Sequence, residues 1–85
     1  MSYNIHWSCK ADKFLEKLPE EISKRIVNKI DSIKDNPFHF VENYEGESYF
    51  KLRIGDYRIL LDIDTSAKLI EIRIVGHRGS IYNRM

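Results

Sequence analysis

The stretch YFKLRIGDYRILLDID, Tyr49 to Asp64, alternates in character on both sides of one Gly-Asp pair. A two-residue loop with glycine in its first central position matches a type II′ hairpin turn, because that position needs positive φ. The turn fixes the pairing. Ile54 faces Tyr57, Arg53 faces Arg58, Leu52 faces Ile59, Lys51 faces Leu60, Phe50 faces Leu61 and Tyr49 faces Asp62. Directly opposed residues share a sheet face. One face is therefore Phe50, Leu52, Ile54, Tyr57, Ile59 and Leu61, and the other is Tyr49, Lys51, Arg53, Arg58, Leu60 and Asp62. A slip of one residue would expose every large apolar group.

The rest of the chain must cover that apolar face. Tyr3 to Ser8 alternates as a strand, with Tyr3, Ile5 and Trp7 on one side, and Ser8 can cap a helix beginning at Cys9. Ala11, Phe14, Leu15 and Leu18 form one helical stripe that Pro19 stops. Pro19, Glu20 and Glu21 suit the first turn of a second helix, with Ile22, Ile26, Val27, Ile30 and Ile33 as its buried face and Asn36-Pro37 as its end. Asn36 to Glu47 reads as a loop packed partly on the body. Strands follow at about Ser48–Ile54, Tyr57–Asp62 and Lys68–Gly76, with a turn around Asp64-Thr65-Ser66; Ile70, Ile72 and Ile74 extend the apolar face, and Glu71 and Arg73 join the charged one. The tail from Gly79 reads as one helical turn or an extended end.

The expected architecture is α+β: an N-terminal strand and helical hairpin packed on one face of an antiparallel sheet, completed by a C-terminal three-stranded meander, all in a single domain over residues 1–85. No apolar run is long enough for a membrane span and the first residues lack a secretory pattern, so a cytoplasmic protein is expected. The single cysteine, Cys9, reads as a small buried or half-buried residue, and no clustered His or Cys suggests a metal.

A net charge of +1 means that any nucleic-acid role rests on a local patch. Arg53 opposite Arg58 is such a place, since like charges directly opposed across strands are destabilising. Two readings follow: an anion is bound there, or Asp62, Glu71 and other acids neutralise a solvated face. The lysines and arginine of the helices, Lys10, Lys13, Lys17, Lys24, Arg25 and Lys29, read as a solvated helix face.

KLRIGDYRILLDID followed by IEIRIVGHRGSIY resembles the RelE toxins of toxin-antitoxin pairs, within the RelE/ParE superfamily. The helical hairpin, the K-x-R-x-G-x-Y-R hairpin, the third strand and the H-R-x-x-x-Y ending occur in the family's order. For the RelE branch the resemblance implies a toxin that enters the ribosomal A site, cuts messenger RNA there, and is silenced by a cognate RelB-like antitoxin, with DNA bound only indirectly through that antitoxin. ParE-type relatives share the scaffold but poison gyrase, and a decayed toxin that only binds antitoxin is a third reading; scaffold alone does not choose among them.

The resemblance carries catalytic roles onto Lys51, Arg58, Arg78 and Tyr82. Tyr49 stands where some members have a second lysine, and the segment from Arg78 to Tyr82 is shorter than in some. The implied reaction uses the RNA 2′-hydroxyl as nucleophile on the adjacent phosphorus, without metal or cofactor. It needs a base, positive charge for the pentacovalent phosphate, and an acid for the departing 5′ oxygen. Lys51, crowded by Arg53 and Arg58, is the candidate base, with Tyr82 as alternative base or stacking platform. Arg58 and Arg78 suit the scissile phosphate. Arg53, Arg73 and His77 are candidate RNA-binding residues, Arg73 being equally suited to a structural ion pair. His6 and His39 read as structural or solvated.

Overall fold

In the computed structural model, which describes residues 2–43 and 49–79, strand β1 (Asn4–Trp7) leads into helices α1 (Cys9–Glu16) and α2 (Glu20–Ser32). A short strand β2 (Glu42–Asn43) and three longer ones, β3 (Phe50–Ile54), β4 (Tyr57–Asp64) and β5 (Leu69–His77), follow. The strands form one mixed sheet in the order β1-β5-β4-β3-β2; β1 runs parallel to β5 and the other pairs are antiparallel. The α+β architecture, with the meander β3-β4-β5 at its centre, is the one the sequence pattern implies.

Local signals explain the two helices. Ser8 has extended backbone angles and its Oγ accepts a hydrogen bond from the Ala11 N–H, 3.1 Å, satisfying one of the donors orphaned at a helix start. The same hydroxyl donates to the carbonyl of Arg73, 2.6 Å, so one side chain fastens α1 to β5. Pro19 is the N-cap of α2, and Glu20 and Glu21 occupy its first turn, where the helix dipole favours acids.

The core lies between the helices and one face of the sheet. Ala11 and Leu15 of α1 and Ile26, Ile30 and Ile33 at α2 are buried against Leu52, Ile54, Ile59, Leu61, Ile70, Ile72 and Val75. Each fully buried aliphatic side chain of this size contributes about 1.5–3 kcal/mol of transfer free energy. No helix among the described residues is long and apolar enough to cross a membrane.

Five expectations need correction. Val27 is 41% exposed: at 100° per residue it lies beside the Ile22-Ile26-Ile30-Ile33 stripe rather than in it. The segment expected to be a loop holds a 3-10 turn at Pro37–His39 and strand β2, whose Glu42 and Asn43 pair with Lys51 and Phe50. Ile74 does not extend the core face. Leu60 pairs with Ile74 but Leu61 pairs with Ile72, so Arg73 is the extra residue of a β-bulge, and Val75 takes the core position opposite Ile59. Leu60, assigned to the charged face, is fully buried. Finally Cys9, expected to be buried or half-buried, is exposed, because at 100° per residue it lies on the side of α1 opposite the Ala11-Phe14-Leu15-Leu18 stripe. Ser48 and the tail beyond Gly79 lie outside the described residues.

Candidate nucleic-acid interface

The hairpin register is the one the turn dictates: Ile54 opposite Tyr57, Arg53 opposite Arg58, Leu52 opposite Ile59, Lys51 opposite Leu60 and Phe50 opposite Leu61. Gly55 has φ 57° and Asp56 does not have positive φ, the combination of a type II′ turn. β3 begins at Phe50, so the pairing expected between Tyr49 and Asp62 falls outside the ladder.

Arg53 and Arg58 therefore stand side by side on the outer face, on strands about 4.8 Å apart. In the next strand Gly76 is opposite Arg58 and brings no side chain to that row. Nη1 of Arg58 donates to the carbonyls of Gly55, 2.8 Å, and Tyr57, 2.9 Å. These bonds tie the guanidinium to its own turn and, among the described residues, leave Nε and Nη2, the fork that matches two oxygens of a phosphate.

Arg78 comes to the same end of the sheet through its backbone. Its N–H donates to the Asp56 carbonyl, 2.8 Å, joining the residue after β5 to the β3-β4 turn. His77 stacks edge-on with Tyr57 at 5.6 Å between ring centroids, and its Nδ1 accepts from the Gly79 N–H, 3.4 Å. Lys51 lies two residues before Arg53 on the same face and is half-buried. Tyr82 lies outside the described residues.

Two of the proposed cations are already paired with acids. Arg73 Nε donates to Asp62 Oδ2, 2.6 Å, and that hydrogen bond and charge hold its pKa above the ordinary guanidinium value. Arg53 Nε lies 3.7 Å from Glu42 Oε1, a loose pair in which both side chains are more than half exposed. Among the described residues no carboxylate forms an ion pair with Arg58 or Arg78. The structure thus brings Lys51, Arg53 and Arg58 together on the outer face and ties the backbone of Arg78 to the adjoining turn, whereas His77 lies on the other face beside Tyr57 and Arg73 lies farther along β5, engaged by Asp62.

Sequence reasoning missed three contributors. Gly76 is the silent neighbour of Arg58, visible only once the bulge sets the β4-β5 register. Glu42 was hidden in an assumed loop. Arg25 of α2 reaches the hairpin: a Cβ on Gly55 would lie 3.3 Å from its Nη1 and Nη2. Among the described residues no group of three His, Cys, Asp or Glu side chains is placed to hold a metal ion. Chemically, the arrangement offers guanidinium donors that suit an anion with several oxygens.

Comparisons with known proteins bear on the family and the fold. A family model described as the ParE toxin of type II toxin-antitoxin systems, parDE, matches residues 5–82. No curated protein gives a significant match. A chain of the toxin-antitoxin complex RelBE2 from Mycobacterium tuberculosis superposes with a TM-score of 0.82 at 27% identity, covering 92% of this chain and 100% of that one. A chain of the archaeal RelE-RelB complex from Pyrococcus horikoshii gives 0.79 at 27% identity, with 93% and 98% covered. One from the intact Escherichia coli RelBE complex gives 0.77 with 89% and 96% covered, and at 16% identity that likeness concerns the fold alone.

Proposed function

This chain belongs to the RelE/ParE superfamily of type II toxins, and on that footing we propose that it is a ribosome-dependent endoribonuclease that cuts messenger RNA in the A site. The observation that carries this reading is the direct opposition of Arg53 and Arg58, with the backbone of Arg78 fastened to the intervening turn. Folding alone does not favour two arginines face to face. An anionic ligand turns that repulsion into affinity.

In the proposed reaction the RNA 2′-oxygen bonds to the adjacent phosphorus and the bond from phosphorus to the 5′ oxygen breaks. A 2′,3′-cyclic phosphate and a free 5′-hydroxyl result. Lys51 takes the 2′-hydroxyl proton; the free fork of Arg58, with Arg78, holds the charge that builds on the phosphate oxygens. Arg78 is also the residue nearest in role to an acid for the departing oxygen, and Tyr82 is the alternative base or a platform for a splayed base. Arg53 and His77 line the RNA's approach, with Arg73 contributing through its exposed edge.

Little dedicated acid-base equipment stands in this set, so orientation of the message by the ribosome supplies much of the rate, a term worth several kcal/mol. Naked RNA is accordingly a poor substrate. The silencing partner is a RelB-like antitoxin, as in the complexes of its structural relatives.

The match to a model described as the ParE toxin supports a second reading, inhibition of gyrase without RNA cleavage. Paired translation and DNA-supercoiling assays separate the two. Toxicity lost in Arg58→Ala and Arg78→Ala, with supercoiling untouched by the unaltered protein, supports the nuclease; inhibited supercoiling with intact message supports the gyrase reading.

A further inference from the structure

A second basic site lies around the corner from the arginine pair. Arg25, Asn28 and Lys29, on one face of α2, and Arg53, Ile54 and Gly55 of the hairpin line a cleft of about 470 Å³. That volume falls in the range of small-ligand sites. Among the described residues no carboxylate lines it, and the one that comes near is Glu42, whose Oε1 is 3.7 Å from Arg53 Nε. Among the described residues Arg25 forms no ion pair, although its guanidinium lies against the turn at Gly55, where a side chain would crowd it. Lys29 is steadied by the ring of Phe40, 4.8 Å from its Nζ, a contact that leaves the ammonium hydrogens available.

The cleft also has a polar wall. β2 pairs with β3 only at Phe50 and Lys51, so the backbone from Leu52 to Ile54 has no strand neighbour on that side among the described residues. Asn28 adds an amide donor. Arg25, Lys29, the loosely paired Arg53, an amide and a strand edge unpaired among the described residues fit an oxyanion carried on a chain.

We propose that this cleft binds a backbone phosphate of the single-stranded RNA, one that flanks the phosphate held by Arg58. Arg53 belongs to both places: it lines the cleft and stands opposite Arg58. A strand crossing the turn end of the sheet would thus meet Arg25 and Lys29, then Arg53, then Arg58. The inference rests on the nuclease reading for the direction of the strand, and on the cleft's own residues for its affinity.

The test is a salt titration of binding with a labelled, uncleavable 2′-O-methyl single-stranded RNA. Each phosphate contact on a single strand adds about 0.7 to the slope of log affinity against log salt. Arg25→Gln with Lys29→Gln should flatten the slope by about 0.7, the share of the one phosphate the cleft holds, whereas Arg25→Lys should retain it. A control pair, Lys24→Gln with Lys34→Gln, removes the same charge elsewhere and should leave the slope unchanged. Thermal denaturation checks that each variant is folded. An unchanged slope in the Arg25/Lys29 variant, or equal flattening in the control, overturns the proposal. Binding involves no cleavage, so absence of A-site cuts would sink the nuclease reading and leave the cleft standing, whereas A-site cuts with an unchanged slope would remove the cleft alone.

Discussion

The guanidinium of Arg58 is folded onto the turn that precedes it, its Nη1 donating to the Gly55 carbonyl at 2.8 Å. The bond makes the turn a mount for the side chain: the strand supplies position, the carbonyl supplies orientation, and among the described residues no group engages the Nε-Nη2 edge. Arg58→Ala should lower message cleavage on ribosomes by about 10² to 10³, the loss typical of removing an oxyanion donor. Arg58→Lys should recover little of it, because an ammonium cannot grip the turn and offer a planar fork together. Thermal denaturation of both variants should show less than about 1 kcal/mol of change, since the arginine makes no ion pair among the described residues.

Ser8 is the joint between α1 and the bulge in β5. Its hydroxyl accepts from Ala11 and donates to Arg73, so Ser8→Ala removes a helix cap and strands a carbonyl at once. The expected loss is about 1–2 kcal/mol in denaturant unfolding, and Ser8→Thr should restore most of it.

The bulge makes a sharper prediction about neighbours. Val75 is 1% exposed in the core, whereas Ile74 is half-buried on the opposite face beside Leu60. Val75→Ala should cost about 2 kcal/mol, and Ile74→Val less than 1 kcal/mol. Val75→Asn should abolish cooperative unfolding while Ile74→Asn still folds. Simple alternation along β5 predicts the reverse order.

Arg73 should matter less than Arg58 for cleavage, since Asp62 already holds it. Arg73→Ala is expected to reduce cleavage less than tenfold and to cost about 0–1 kcal/mol of stability, the range of exposed ion pairs. Its pKa is raised by that hydrogen bond, so its share of stability is fully present below the unfolded-state value and is lost only as pH climbs through the folded one. An ordinary guanidinium already stays charged well above this range, so unfolding curves from pH 7 to 10 should show no contribution from Arg73 titration.

How far the sequence reaches can be followed at single residues. Gly55-Asp56 admits one register, and every described pair of the β3-β4 ladder was legible from it. Ser8 and Pro19 punctuate the helices through local chemistry, which is why their ends were readable. The bulge at Arg73 carried no local mark: it is held by a hydroxyl 65 positions away, and without it Ile74 is the natural core residue. β2 is two residues long and is held by backbone pairing, too little for periodicity to register. Arg25 was legible only as one more helical cation, because its approach to Gly55 depends on how α2 lies across the sheet. Lys51, Arg58 and Arg78 were nameable as a set through the family resemblance, and the fold supplies what the resemblance could not, namely the carbonyls that fasten Arg58 and Arg78 to one turn.

The most direct measurement maps message ends after purified protein is added to programmed ribosomes, with Arg58→Ala as control. The account predicts new 5′-hydroxyl ends within the A-site codon, absent with the variant and scarce when the same RNA is supplied naked. Intact message on ribosomes, with translation unimpaired and supercoiling by gyrase inhibited, would contradict it.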